Sequence, residues 1–127
     1  MVFVDFFRVL PVVVLLIWIH YVLPILGGLI AETAGVADLA LEGKMLLAAF
    51  AAGAAAWTCG SPWPGLAAGM AAAVALAALH ALACVTYRGN QIVSGMALNI
   101  LVAGLTPTLA EAWFGLGGQT PLLPAAA

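Results

Sequence analysis

Eight formal charges, Asp5, Arg8, Glu32, Asp38, Glu42, Lys44, Arg88 and Glu111, are spread along 127 residues so that long intervals carry none. Residues 9 to 31, 45 to 87 and 89 to 110 are free of formal charge. About 20 apolar residues span a bilayer as a helix, so the first and last intervals hold one crossing each. The middle interval holds two, divided at the stretch CGSPWPG. There Pro62 and Pro64 cannot continue a helix cheaply, Gly60 and Gly65 flank them, and Trp57 and Trp63 suit the membrane interface. The expectation is an all-α, polytopic membrane protein: one transmembrane region over 1–127, with spans near 9–30, 45–60, 64–86 and 91–113. With 66% hydrophobic and 6% charged residues, the chain lacks the polar surface of a soluble domain.

The same composition excludes several function classes. A net charge of −2 without a basic cluster does not suit nucleic acid. A cleaved signal peptide is the rival reading of the N-terminus, but its apolar run exceeds a typical h-region, and no A-x-A site leads into a polar mature domain. No His/Cys/Asp/Glu group has metal-ligand spacing, so no metal or cofactor is expected. Ser61 and Ser94 lack a nucleophile-elbow frame, so no catalytic residue is assigned and the chain is not expected to be an enzyme. Gly43-Lys44-Met45 is not a phosphate-binding loop, since Asp38 stands where its first glycine belongs. GLGGQT, residues 115–120, looks like the LSGGQ signature of ABC ATPases but trails a membrane span. Cys59 and Cys84 lie about 25 helical residues apart, at roughly 1.5 Å each, and should not pair.

Lys and Arg placement favours an outside N-terminus, which leaves Lys44 and Arg88 in the cytoplasm. The second and third spans are rich in alanine, and Gly65 and Gly69 have the GxxxG spacing that lets helix backbones approach closely. Such helices imply more protein around them, by oligomerisation or by further chain. The Gly/Pro-rich ending GLGGQTPLLPAAA, with no fifth helix, suggests a sequence incomplete at its C-terminus.

The polar residues are few. On a helix beginning near Asn90, Gln91, Gly95, Asn99 and Thr106 fall close to one face, with Ser94 alongside. They read either as interhelical hydrogen bonding or as the lining of a pathway, and Pro107 bends the helix beyond them. Residues 28–44 hold four of the eight charges. They read as a solvated loop or as one partly buried in protein, in which Glu42 and Lys44 pair locally. His20 and His80, inside predicted spans, are either hydrogen-bonding residues or proton relays.

The order GGLIAETAGVADLALEGKMLLAAFAAG, a GSPWPG turn, then ALHALACVTYRGNQIVSGMALNILVAGLTPTL resembles the membrane permeases of bacterial ABC importers for simple sugars and nucleosides, which work with basic-membrane-protein-type lipoprotein receptors. The family pattern G-G-L-x-S-E-R-x-G-V-x-N-I-x-L-E-G is met at Gly27, Gly28, Glu32, Gly35, Val36, Leu41, Glu42 and Gly43. The second block, R-x-N-Q-x-x-x-G-x-A-L-N-x-x-x-x-G-L-T, is met at Arg88, Asn90, Gln91, Gly95, Ala97, Leu98, Asn99, Gly104, Leu105 and Thr106. The match runs from about residue 22 to 121. Ala31 and Thr33 replace the usual Ser and Arg, and Asp38 replaces Asn, making the first loop more acidic.

The resemblance implies the N-terminal part of a larger permease bundle in the bacterial inner membrane, moving by alternating access. Its partners would be ABC ATPase subunits, which would hydrolyse ATP, a second permease subunit and an extracytoplasmic lipoprotein receptor, all in a lipid bilayer. Gln91, Ser94, Asn99 and Thr106 would line the translocation path. Glu32, Gly35, Glu42, Gly43, Arg88 and Asn90 would shape the loops, and Gly65, Gly69 and Gly95 would pack helices. The segment that docks on the ATPase in such permeases has no counterpart here. A self-contained four-helix exporter or a structural membrane protein is the alternative. An exporter of that kind needs a membrane-embedded carboxylate, and every acid except Glu111 lies outside the predicted spans.

Overall fold

The computed structural model describes residues 2–122. The chain divides into two compact units, Met1–Ala37 and Asp38–Ala127. The first unit is a single helix, α1, Val2–Thr33, with Pro11 and Pro24 inside it. At 1.5 Å per residue it is about 48 Å long, more than a bilayer core of about 30 Å. None of its membrane-length window is buried, and Trp18, Ile25 and Ile30 are each more than 60% exposed. The helix ends in a Schellman motif. Gly35 adopts φ +81°, its N–H donates to the Glu32 carbonyl (2.9 Å), and the Val36 N–H donates to the Ala31 carbonyl (3.0 Å). Glu32 is therefore an exposed residue of the last helical turn, and the segment expected as a loop over 28–44 is irregular only between Thr33 and Leu41.

The second unit holds α2, Leu41–Cys59, α3, Pro62–Ala81, and α4, Gln91–Phe114. The break at CGSPWPG forms as its residues dictate. Gly60 closes α2 in the left-handed conformation (φ 65°), Ser61 is extended, and Pro62 opens α3, where its missing N–H costs nothing. A π-helical turn, Leu82–Thr86, continues α3. The Tyr87 and Gly89 N–H groups then donate to the Leu82 and Ala83 carbonyls, and Arg88 takes a positive φ of 51°. Asn90 starts α4, its Oδ1 accepting from the Ile92 and Val93 N–H groups at 3.0 and 3.2 Å.

Helices α2 and α3 pack through their smallest residues. A methyl group on Gly65 would come within 2.7 Å of the Ala52 carbonyl oxygen, and one on Gly69 within 2.9 Å of that of Ala48. Ala48, Ala52 and Ala56 thus form the opposing ridge. Their spacing of four places them on one helix face. Ala40, Leu76, Leu98 and Val102 form the core, with Leu47 against it. Among the described residues, three helical segments are long and apolar enough to cross a membrane: Val4–Thr33, Pro62–Thr86 and Gln91–Phe114. Helix α2 occupies the expected second span, but Glu42 and Lys44 in its first turns lower its hydropathy.

Candidate functional site

Of the polar residues of α4, Asn99 lies where the start of α2 meets it. Ala40, the residue capping α2, has no polar side chain, so the first N–H groups of the helix need acceptors from elsewhere. Asn99, on the neighbouring helix, supplies one. Its Oδ1 accepts from the Gly43 N–H at 2.8 Å, and its Nδ2 donates to the Leu39 carbonyl at 2.8 Å. An N–H can only donate and a carbonyl only accept, so both ends of the amide are fixed by the backbone they meet. The contact demands glycine on both helices. A methyl on Gly43 would stand 2.8 Å from Asn99 Oδ1 and 3.2 Å from its Cα, and one on Gly95 would stand 2.9 Å from Leu39 Cβ.

A second device locks the same turn. Lys44 Nζ pairs with Asp38 Oδ2, both side chains being mostly buried, and Asp38 Oδ1 accepts from the Ala40 N–H at 3.2 Å. The expected Glu42–Lys44 pair is replaced by Asp38–Lys44. The reason is geometric: residues two apart on a helix diverge, whereas Asp38 lies in the turn before α2. Glu42 is left exposed on the first turn, where a carboxylate favours the helix dipole.

Further along α4, Thr106 is buried and its hydroxyl donates to the Val102 carbonyl at 3.0 Å. Ser94 shares a hydrogen bond with His80 Nδ1 at 3.3 Å, and Cys84 Sγ lies 3.7 Å from the same nitrogen. Gln91 begins the helix, half-buried. The stripe is thus divided: Gly95 and Asn99 face the 38–43 turn, whereas Ser94 faces α3. Glu32 and Gly35 belong to the end of α1, in the first unit. Arg88 and Asn90 shape the reversal before α4. His20 remains exposed on α1, its ring edge-on to Tyr21 at 5.4 Å. Cys59, the last residue of α2, and Cys84, in the π-helical turn that continues α3, are both free thiols.

Sequence reasoning did not anticipate the course of residues 115–122. Gly115 ends α4 in the left-handed conformation, and the chain then turns at Gly117–Gly118 (Gly118 φ +85°) and runs back along α2. Thr120 sits on Gly53, where a methyl would be 2.9 Å from its Oγ1. A cavity of about 300 Å³ lies between this segment, α2 and α4, lined among others by Phe50, Thr106, Pro107 and Gln119. The signal available was Gly53, a bare patch in an alanine-rich helix, together with the polar GGQT after the span.

A helical bundle with apolar side chains outward and polar contacts inward defines a polytopic α-helical membrane protein. The chain belongs to the family described as branched-chain amino acid transport system / permease component, whose model matches residues 10–123. It is 41% identical over 88 residues to TsgC13 of Haloferax volcanii, named as a glucose ABC transporter permease protein; the match covers 69% of this chain and 27% of that protein. Over 114 residues it is 36% identical to the guanosine ABC transporter permease protein NupQ of Bacillus subtilis, covering 81% of this chain and 34% of NupQ. Over 98 residues it is 30% identical to the nucleoside ABC transporter permease protein NupC of Lactococcus lactis, covering 72% and 31% respectively. The chain therefore spans about a third or less of the length of the curated relatives it matches. No solved structure matches it significantly.

Proposed function

We propose that the protein carrying this chain is a permease subunit of an ATP-driven importer for a simple sugar or nucleoside, in the cytoplasmic membrane of a prokaryote. The observation that carries the reading is the likeness of most of this chain to permeases named for glucose, guanosine and nucleosides. In this reading ATP is hydrolysed by separate ABC ATPase subunits, and a second permease subunit completes the path. An extracytoplasmic receptor, of lipoprotein type in bacteria, delivers the solute. The permease does no covalent chemistry; it alternates between outward and inward openings by movement of helix groups.

Within it, Gln91 and Ser94 line the path, while Asn99 and Thr106 hold the wall behind them. Neutral solutes suit such a route, because amides and hydroxyls offer hydrogen bonds without the tight hold of a charge. The test is uptake of labelled glucose and labelled guanosine by cells with the corresponding gene deleted and then restored. Restoration should recover ATP-dependent uptake of one solute class. Uptake of both that is indifferent to deletion would refute the reading.

A further inference from the structure

Residues 115–122 are irregular backbone that folds back against α2 and α4. Trp57 at the end of α2, Trp63 at the start of α3 and Trp113 at the end of α4 occupy neighbouring helix ends, and Trp57 meets Phe114 at 5.3 Å between ring centres. Tryptophans grouped in this way mark a membrane–water interface. Thr120 rests on Gly53, four residues and about 6 Å inward from Trp57. The cavity beside it reaches Leu46 on α2, about 16 Å inward, and Thr106 on α4, about 10 Å inward from Trp113. After leaving α4 at the interface, the chain thus dips back toward the bilayer interior.

Backbone outside a helix or closed sheet does not face lipid, because each unsatisfied N–H or C=O costs several kcal/mol there. It persists at such depth where protein covers it or where it lines a water-filled space, and a space is present. The lining carries no charge and combines apolar residues of α2 and α4 with Gln119 and Thr120 of the segment; Thr106 also lines it, its hydroxyl donating to the Val102 carbonyl. Pro107, also in the lining, has no N–H, so the Ala103 carbonyl lacks its usual helix donor. Phe50 contributes a flat apolar wall. Glu111, in the last turn of α4, stands beside Gly117 and is not part of the lining.

We infer that this re-entrant segment and the facing sides of α2 and α4 form a binding site for a small neutral solute bearing hydroxyl or amide groups. The inference rests on the permease reading and adds to it a place where the solute pauses. A volume of about 300 Å³ is at the small end for ligand pockets. It suits one ring and its substituents. The Gln119 amide and the Thr120 hydroxyl exchange hydrogen bonds with the solute in place of water, while Phe50 lies against its apolar face. Without charge in the lining, the site gives no compensation for desolvating an ion.

The test uses the protein in its own host's membranes, with Cys59→Ser removing the exposed thiol. Ala49→Cys and, separately, Leu46→Cys, on the α2 side of the lining, are reacted with a hydrophilic methanethiosulfonate reagent, alone or with D-glucose, guanosine or glutamate. Both cysteines should react, and glucose or guanosine should slow the reaction several-fold while glutamate leaves it unchanged. Adding Gly53→Val, which unseats Thr120, should remove that protection. Two results overturn the site: no reaction at either cysteine, or reaction at a rate that no neutral solute changes. Neither variant removes a group that hydrogen-bonds the solute, so a lack of protection is not lost binding. Uptake by the unmodified protein, measured in parallel, separates the two readings. Intact uptake without protection refutes the site and leaves the importer standing, whereas absent uptake refutes the importer.

Discussion

Asn99 shows how a single polar side chain in an apolar helix can have both ends of its amide engaged by backbone. Its amide serves the Gly43 N–H and the Leu39 carbonyl together, so replacing it with Leu strands one donor and one acceptor. Leaving such groups unpaired costs about 1–3 kcal/mol. Asn99→Leu should insert normally, melt earlier in detergent and transport less; an unchanged melting temperature would refute the bracing role. Asn99→Asp keeps the acceptor for Gly43 but sets an anionic oxygen against the Leu39 carbonyl, so it should also melt earlier than the unsubstituted protein. Gly43→Ala should act like Asn99→Leu, because its methyl would collide with the amide from the other side. The sequence marked Asn99, Gly43 and Gly95 as noteworthy. It did not show that they meet, since the contact spans 56 residues and depends on how two helices cross.

At the scale of elements, the existence of four long helical segments was legible, because charge-free length, the proline pair and Asn90 act locally. What escaped was set by partners distant in sequence or by short-range geometry. Thr33 lies beyond the apolar run yet is still helical, because the Schellman closure at Gly35 determines the end. Lys44 pairs with Asp38 because the turn before α2 brings them together. The GxxxG pair was recognisable, but its counterpart ridge of Ala48, Ala52 and Ala56 was not, alanine being everywhere in these helices. Gly65→Val would drive a branched side chain into the Ala52 carbonyl and the Ala56 methyl. Overpacking of this kind costs about 1–3 kcal/mol. The variant should melt earlier in detergent than Leu66→Val, a neighbouring change on an exposed position. Equal melting of the two would mean that α2 and α3 do not pack through glycine.

For the whole molecule, the outward display of Ile100, Val74 and Met70, each more than 60% exposed, is the reverse of a soluble fold and is consistent with lipid or further protein around it. The loops divide accordingly. Glu42 and Tyr87 lie at the ends of α2 and the α3 segment opposite to those that hold Cys59 and Trp63, while Gly117 follows the end of α4. In the proposed permease α2 crosses the membrane together with α3 and α4, and the most direct test of that proposal is sidedness. Native Cys59 is exposed, and Gly117→Cys, Glu42→Cys and Tyr87→Cys, each in a Cys59→Ser background, report the other positions. With an impermeant maleimide on intact cells, Cys59 and Gly117→Cys should label at once, and Glu42→Cys and Tyr87→Cys only after permeabilisation. Labelling of all four in intact cells, or Glu42→Cys on the same side as Cys59, would contradict the crossing of α2 and with it the account of the fold.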